Sequence, residues 1–150
     1  METNDKEFMS LALSLAKEAA AAGESPIGAV IVKDGKVIAS AHNRTEEEGC
    51  ATAHAEMLAI KQASEALGTW RLTGCTLYVT MEPCPMCAGA ICHSRVDRVV
   101  YGVKDARAGA FGSVMQMNAY PFHPRIEVTQ GVMAEAAREI LQAFFEERRK

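Results

Sequence analysis

Two short runs hold the residues able to do chemistry, His54-Ala55-Glu56 and Pro83-Cys84-Pro85-Met86-Cys87. One imidazole and two thiols make three nitrogen and sulfur donors. That is the number a hydrolytic zinc site takes from the protein while keeping a fourth position for water. Glu56 is then left over, a carboxylate beside the donor set and suited to moving protons. Prolines flank Cys84, and proline fits the first turn of a helix, where its missing N–H has no partner to lose. The segment therefore reads as a strand end running into a helix N-terminus with both sulfurs near the first turn. Unpaired N–H groups and the helix dipole lower thiol pKa there and favour the metal-binding thiolate. His54 opens a second helix, with Thr52 as its expected cap. A water acidified by metal, and a carboxylate to carry its proton first to a ring nitrogen and then to a leaving amine, are what turning an amino-purine or amino-pyrimidine into its keto form requires.

Other readings of the same residues exist. A Cys-x-x-Cys pair alone also fits a redox dithiol or half of a structural zinc ribbon. A ribbon needs a second pair, and Cys50, Cys75 and Cys92 lack the spacing. A redox motif accounts for neither His54-x-Glu56 nor the two prolines. Glu56 taken alone is an ordinary surface helix residue, and only its place beside His54 gives it a catalytic reading.

The whole chain sets the frame for these motifs. Its 150 residues, 49% hydrophobic and 23% charged, suit one domain spanning 1–150 that buries a core without staples. No apolar run approaches the roughly 20 residues of a membrane span. The acidic run Glu2-Thr3-Asn4-Asp5-Lys6-Glu7 is unlike a secretory leader. Five cysteines, two of them assigned to metal, leave an odd three, which fits a reducing cytoplasm. A net charge of −3 argues against a broad polyanion-binding face. The cations Arg95, Arg98, Lys104 and Arg107, with Arg148-Arg149-Lys150, would confine any polyanion to a restricted surface.

The elements that must position the motifs follow from periodicity. Phe8, Leu11, Leu15 and Ala19 recur at helical spacing up to Gly23. Residues 27–32 and 37–41 are β-rich runs joined by Lys33-Asp34-Gly35-Lys36, whose Asp-Gly centre predicts a hairpin. A helix over 54–67 is stopped by Gly68. A buried strand over 76–80 leads into the Pro83 motif, and a helix follows from Pro85 to about Ser94. A strand over 96–103, a glycine-rich loop through Gly109 and Gly112, and a short strand over 126–129 come next. Met133, Ala136, Ala137, Ile140, Leu141 and Phe144 form the apolar stripe of a final helix. Strands alternating with helices predict an α/β layered fold around a mixed sheet of about five strands, with both metal helices starting at one sheet edge.

Beyond the metal motifs, the chain resembles the bacterial tRNA-specific adenosine deaminases of the cytidine deaminase-like superfamily. The resemblance is carried by Pro26-Ile27-Gly28-Ala29-Val30, Ala41-His42-Asn43, Ala53-His54-Ala55-Glu56-Met57 and Leu67-Gly68-Thr69-Trp70-Arg71-Leu72. It continues through the run from Leu77 to Ala90, Ser94-Arg95-Val96, Val100-Tyr101-Gly102, Gly109-Ala110 and Gly112-Ser113. It implies a three-layer cytidine deaminase-like fold, a mixed five-stranded sheet with helices on both faces. It also implies hydrolysis of adenosine to inosine at the wobble position of a tRNA anticodon, by a homodimer with one zinc per subunit. His54, Cys84 and Cys87 would hold zinc and Glu56 would shuttle protons. Asn43 would hydrogen-bond the flipped-out adenine, Ile27 would wall its pocket, and the Ala55 backbone N–H would be a further contact. Asp105 and Arg107 lie in a loop resembling the family's anticodon-binding loop. Phe145 would stack on an unpaired base, and Arg148 and Arg149 would touch phosphate. The same residues leave other roles open. Asn43 also fits a turn closing a strand, Ile27 a core position, Phe145 a core or dimer contact, and the terminal arginines a solvated helix end. His42, His93 and His123 read as structural. The rival activity is deamination of a free base or nucleoside, of guanine or cytosine type, on the same four site residues.

Overall fold

The computed structural model describes residues 2–121 and 123–148. Its elements run α1 (Glu2–Ala21), β1 (Gly28–Lys33), β2 (Lys36–His42), α2 (Thr45–Glu48), α3 (Ala55–Leu67), β3 (Cys75–Met81), α4 (Pro85–His93), β4 (Arg98–Val103), the 3₁₀ turn Met117–Ala119, β5 (Glu127–Gln130) and α5 (Ala134–Arg148). The strands form one sheet in the order β2-β1-β3-β4-β5. β1 is antiparallel to β2 and β3, whereas β3, β4 and β5 are parallel. The sheet is therefore mixed and five-stranded, as the pattern of the sequence predicts.

Period-two alternation explains the three layers. Ala29, Ile31, Leu77, Val79, Val99 and Tyr101 pack with Ala55, Ala59 and Ala63 of α3 and Ala88, Ile91 and Cys92 of α4. The residues between them, Val30, Val32, Tyr78 and Val100, pack with Phe8, Met9, Ala12 and Leu13 of α1 and Ala137 of α5. Helices α3 and α4 thus cover one face, and α1 and α5 the other. Helix α1 approaches β1 so closely that a Cβ on Gly28 would lie 2.1 Å from the Ala12 carbonyl oxygen. The hairpin turn at Asp34 and Gly35 has φ of 51° and 76°, both left-handed, as a type I′ turn demands.

The sheet also carries a buried ion pair. Asp5 of α1 is 2% exposed, and its carboxylate accepts both Arg98 guanidinium nitrogens at 2.9 and 2.7 Å and the Tyr78 hydroxyl at 2.8 Å. Arg98 is therefore spent on the core and adds nothing to a basic surface, although its neighbours in sequence include other cations. Arg95 is similarly turned back, donating to the Cys92 and His93 carbonyls at the end of α4 and to His123. His93 stacks on Trp70, and His42 bonds the Asn43 carbonyl. Cys75 and Cys92 are buried and Cys50 is exposed, all three as free thiols.

Candidate active site

Both metal motifs sit at helix beginnings. His54 is the residue capping α3 and Cys84 the one capping α4, each with extended backbone and neither with a side-chain capping bond. Pro85 occupies the first turn of α4, so β3 runs into this helix with no N–H lost. The two cap side chains are thereby free to converge. His54 Nδ1 lies 3.7 Å from Cys84 Sγ and 3.4 Å from Cys87 Sγ. All three ligand atoms lie within 4.8 Å of one another. Zinc bonds of about 2.3 Å to sulfur and 2.05 Å to nitrogen, at a tetrahedral angle, place S and N about 3.6 Å apart. The observed spacings bracket that value, so the donor set fits a tetrahedral ion. Among the described residues it is the one His/Cys/carboxylate cluster with this closeness.

The electrostatics suit the same use. The Cys84 thiol is pulled down to about 4, first by the Cys87 hydrogen bond and also by His54. Cys87 is pushed up by its bond to Cys84 and by burial, and His54 is raised by its bond to Cys84. The depressed Cys84 thiol favours the thiolate, the form that binds a cation. Glu56, in the first turn of α3, is 3% exposed, and burial pushes its carboxyl up to about 7. Its Oε1 is buried without a hydrogen-bond partner. An orphaned carboxylate oxygen is costly, and here it belongs to a residue that interacts with His54, Cys84 and Cys87.

Asn43 is 4% exposed, and its side chain is bonded within the protein. Its Oδ1 accepts the Ala55 N–H at 2.7 Å. The first N–H of α3 has no intrahelical partner, and the His54 side chain, turned to the metal site, cannot serve it. Asn43 therefore caps α3 from a distance, and Thr52 does not; Thr52 contacts Cys50 instead. The Ala55 N–H is committed within the protein and the Asn43 Oδ1 is shared with it. Asn43 N–H in turn donates to the Ile27 carbonyl at 3.1 Å, which places half-buried Ile27 beside it.

The remaining candidates fall in two places. Asp105 and Arg107 share the loop between β4 and β5, where Asp105 Oδ1 accepts the Arg107 and Ala108 N–H groups at 3.0 and 3.2 Å. Arg107 is exposed. Phe145 is 47% exposed and meets Phe144 edge-on. Arg148 is held by the Gly23 carbonyl and lies over the Phe144 ring, so its guanidinium is partly engaged already. Arg149 lies outside the described residues.

Two acidic residues that carry no motif prove central to the loops. Glu24, 1% exposed, accepts the Glu46 and Glu47 N–H groups at 3.0 and 2.8 Å and the Thr45 hydroxyl. It holds the unforeseen short helix α2 within the segment that ends at His54. Glu82, 3% exposed, gathers the loop of Asp105 in the same way. A glutamate at the end of a buried strand, just before a proline-bounded cysteine, is the signal that could have marked it.

Comparison with known proteins decides the family. The signature of the MafB19-like deaminases matches residues 3–149. The tRNA-specific adenosine deaminase of Bacillus subtilis is 51% identical over 99% of this chain and 92% of its own length. The chain belongs to the tRNA-specific adenosine deaminase family. A solved structure from studies of A-to-I editing by tRNA:A34 deaminases at the wobble position matches with a TM-score of 0.87 and 46% identity, over 90% of this chain and 99% of that one. The guanine deaminase of Nitrosomonas europaea matches with a TM-score of 0.81 but 28% identity, over 93% of this chain and 83% of its own. The cytidine deaminase-like fold is thus common to both, and the higher identity lies with the RNA-editing branch.

Proposed function

We infer that this protein hydrolyses the 6-amino group of adenosine at the wobble position of tRNA anticodons, giving inosine. One zinc ion per subunit would be held by His54, Cys84 and Cys87, in a cytoplasmic homodimer. The observation that carries the reading is the orphaned, buried Oε1 of Glu56 beside three donors spaced for a tetrahedral ion. Bound zinc supplies a water of strongly lowered pKa.

The protein's own residues do the rest. Glu56, with a carboxyl near 7, accepts a proton at neutral pH and returns it without a large penalty in either direction. It delivers the first proton of the water to the adenine ring nitrogen as C6 becomes tetrahedral, then takes the proton of the new C6 hydroxyl and passes it to the amine, which leaves as ammonia. The Asn43 amide, with Oδ1 fixed by Ala55, donates to an acceptor on the adenine edge. Ile27 forms an apolar wall, and burial of the site keeps Glu56 from bulk solvent. Asp105, Arg107, Phe145 and Arg148 are the contacts offered to the anticodon stem-loop, with Arg149 as a further phosphate contact. Among the described residues no helix is long and apolar enough to cross a membrane.

The test is deamination by zinc-loaded protein of an anticodon stem-loop bearing adenosine at the wobble position, with free adenosine, cytidine and guanine in parallel. Inosine in the stem-loop alone supports the reading. Turnover of guanine or cytidine alone would assign the same site to a free-base or nucleoside deaminase.

A further inference from the structure

Glu82 follows directly on β3 and stands two residues before the metal-site Cys84; its N–H donates to the Val103 carbonyl at 2.8 Å. Its carboxylate is fully subscribed. Oε1 accepts the Asp105 N–H at 3.0 Å and the Ser113 hydroxyl. Oε2 accepts the Phe111 N–H at 3.0 Å and the Ser113 N–H at 3.1 Å. An ionised carboxylate has about four lone-pair sites, and here four donors from one loop fill them. Ala110 N–H adds a fifth tie, to the Pro83 carbonyl at 2.9 Å. Gly109 lies against the carboxylate so tightly that a Cβ there would be 2.3 Å from Glu82 Cδ. Loop and cysteine turn are in effect one body, and only a carboxylate has the acceptor count to join them.

We propose that Glu82 is a positioning residue which fixes the segment 105–113 to the cysteine turn, so that RNA gripped by Asp105 and Arg107 is held in register with Glu56. This rests on the RNA-editing reading above. A glutamine at the site would present an N–H₂ group to donors and reject part of the loop, while leaving the metal ligands in place.

The experiment uses zinc-loaded Glu82→Gln and Ser113→Ala proteins against the unaltered one, with two readouts. The first is steady-state editing of the stem-loop. Glu82→Gln is expected to raise KM at least about tenfold with kcat within about threefold and zinc content unchanged. Ser113→Ala, which removes one of the four donors, is expected to raise KM by a few fold. A KM equal to that of the unaltered protein, or a fall confined to kcat or zinc content, would overturn the proposal. The second readout is amide hydrogen exchange at Asp105, Phe111 and Ser113, which needs no substrate. Faster exchange there in Glu82→Gln, with α4 unchanged, is expected; unaltered exchange overturns the positioning role. If the unaltered protein does not edit the stem-loop yet these amides loosen in the variant, the RNA reading fails and the positioning role stands. Should Glu82→Gln not fold, Ser113→Ala decides both readouts.

Discussion

The backbone N–H of Ala55 donates a 2.7 Å hydrogen bond to Oδ1 of Asn43, so the residue expected to read the base also caps the helix that presents Glu56. One residue ties the end of β2 to its surroundings, its side chain to α3 at Ala55 and its backbone N–H to the Ile27 carbonyl. Structure and recognition are therefore linked at this point, and substitutions there will be read out in both.

Asn43→Ala removes the cap and strands the Ala55 N–H in a buried site. The expected loss is about 1–2 kcal/mol of stability, seen as an earlier midpoint in urea. Catalytic efficiency on the stem-loop should fall by a further 1–3 kcal/mol-equivalent, about 5- to 150-fold. Asn43→Asp keeps the acceptor and loses the donor, so stability near that of the unaltered protein with reduced efficiency separates the two roles. Efficiency in both variants equal to that of the unaltered protein would show that Asn43 serves α3 alone.

Glu56→Gln preserves shape and removes the proton carrier. Turnover should fall by about 10²–10⁴-fold while zinc content, measured by elemental analysis, stays at one per chain. A variant that retains turnover contradicts the assigned proton route. One that loses zinc shows Glu56 acting on the metal centre and not on the proton.

Metal removal tests the donor set through stability. An ion present at about 1,000 times its Kd adds about 4 kcal/mol. Stripping it with a chelator should therefore lower Tm by about 8–16 °C for a domain of this size, and Cys84→Ser should reproduce most of that change. Identical melting with and without chelator would count against a bound ion at His54, Cys84 and Cys87.

The Asp5–Arg98 pair sets an acid limit. Burial raises the Asp5 carboxyl, but the Arg98 and Tyr78 hydrogen bonds and the Arg98 charge outweigh it, leaving the pKa below its ordinary value of 3.8. A carboxyl depressed in the folded state adds stability above its unfolded pKa and loses it as pH falls through the folded one. Asp5→Asn should cost about 1.5–3 kcal/mol at pH 7. The gap should hold constant down to about pH 5 and narrow below about pH 4. A gap that widened in acid would reverse the assigned shift.

Much of the fold, and the convergence of His54, Cys84 and Cys87, is legible in the chain itself. The donor cluster can be read because soft donors at short spacing sit beside prolines that start a helix, and the hairpin because Asp34-Gly35 supplies two left-handed residues. The unbroken apolar run of Leu77, Tyr78 and Val79 marks a strand buried on both sides. What the sequence hides are partnerships between distant polar groups. Asn43 reaching Ala55, Glu24 holding α2 and Glu82 filling its lone pairs with loop amides all use backbone N–H groups, which carry no mark in the sequence. Arg98 misleads for a related reason: a cation beside other cations reads as surface until its buried partner Asp5 is placed next to it.

The most direct test of the central claim is to run the reaction on an intact anticodon stem-loop in oxygen-18 water and analyse the product nucleosides by mass spectrometry. Inosine is predicted at the wobble position alone, with its O6 drawn from labelled solvent and its formation abolished in Glu56→Gln. An unaltered wobble adenosine beside turnover of free guanine or cytidine, or inosine lacking the label, would contradict the assignment.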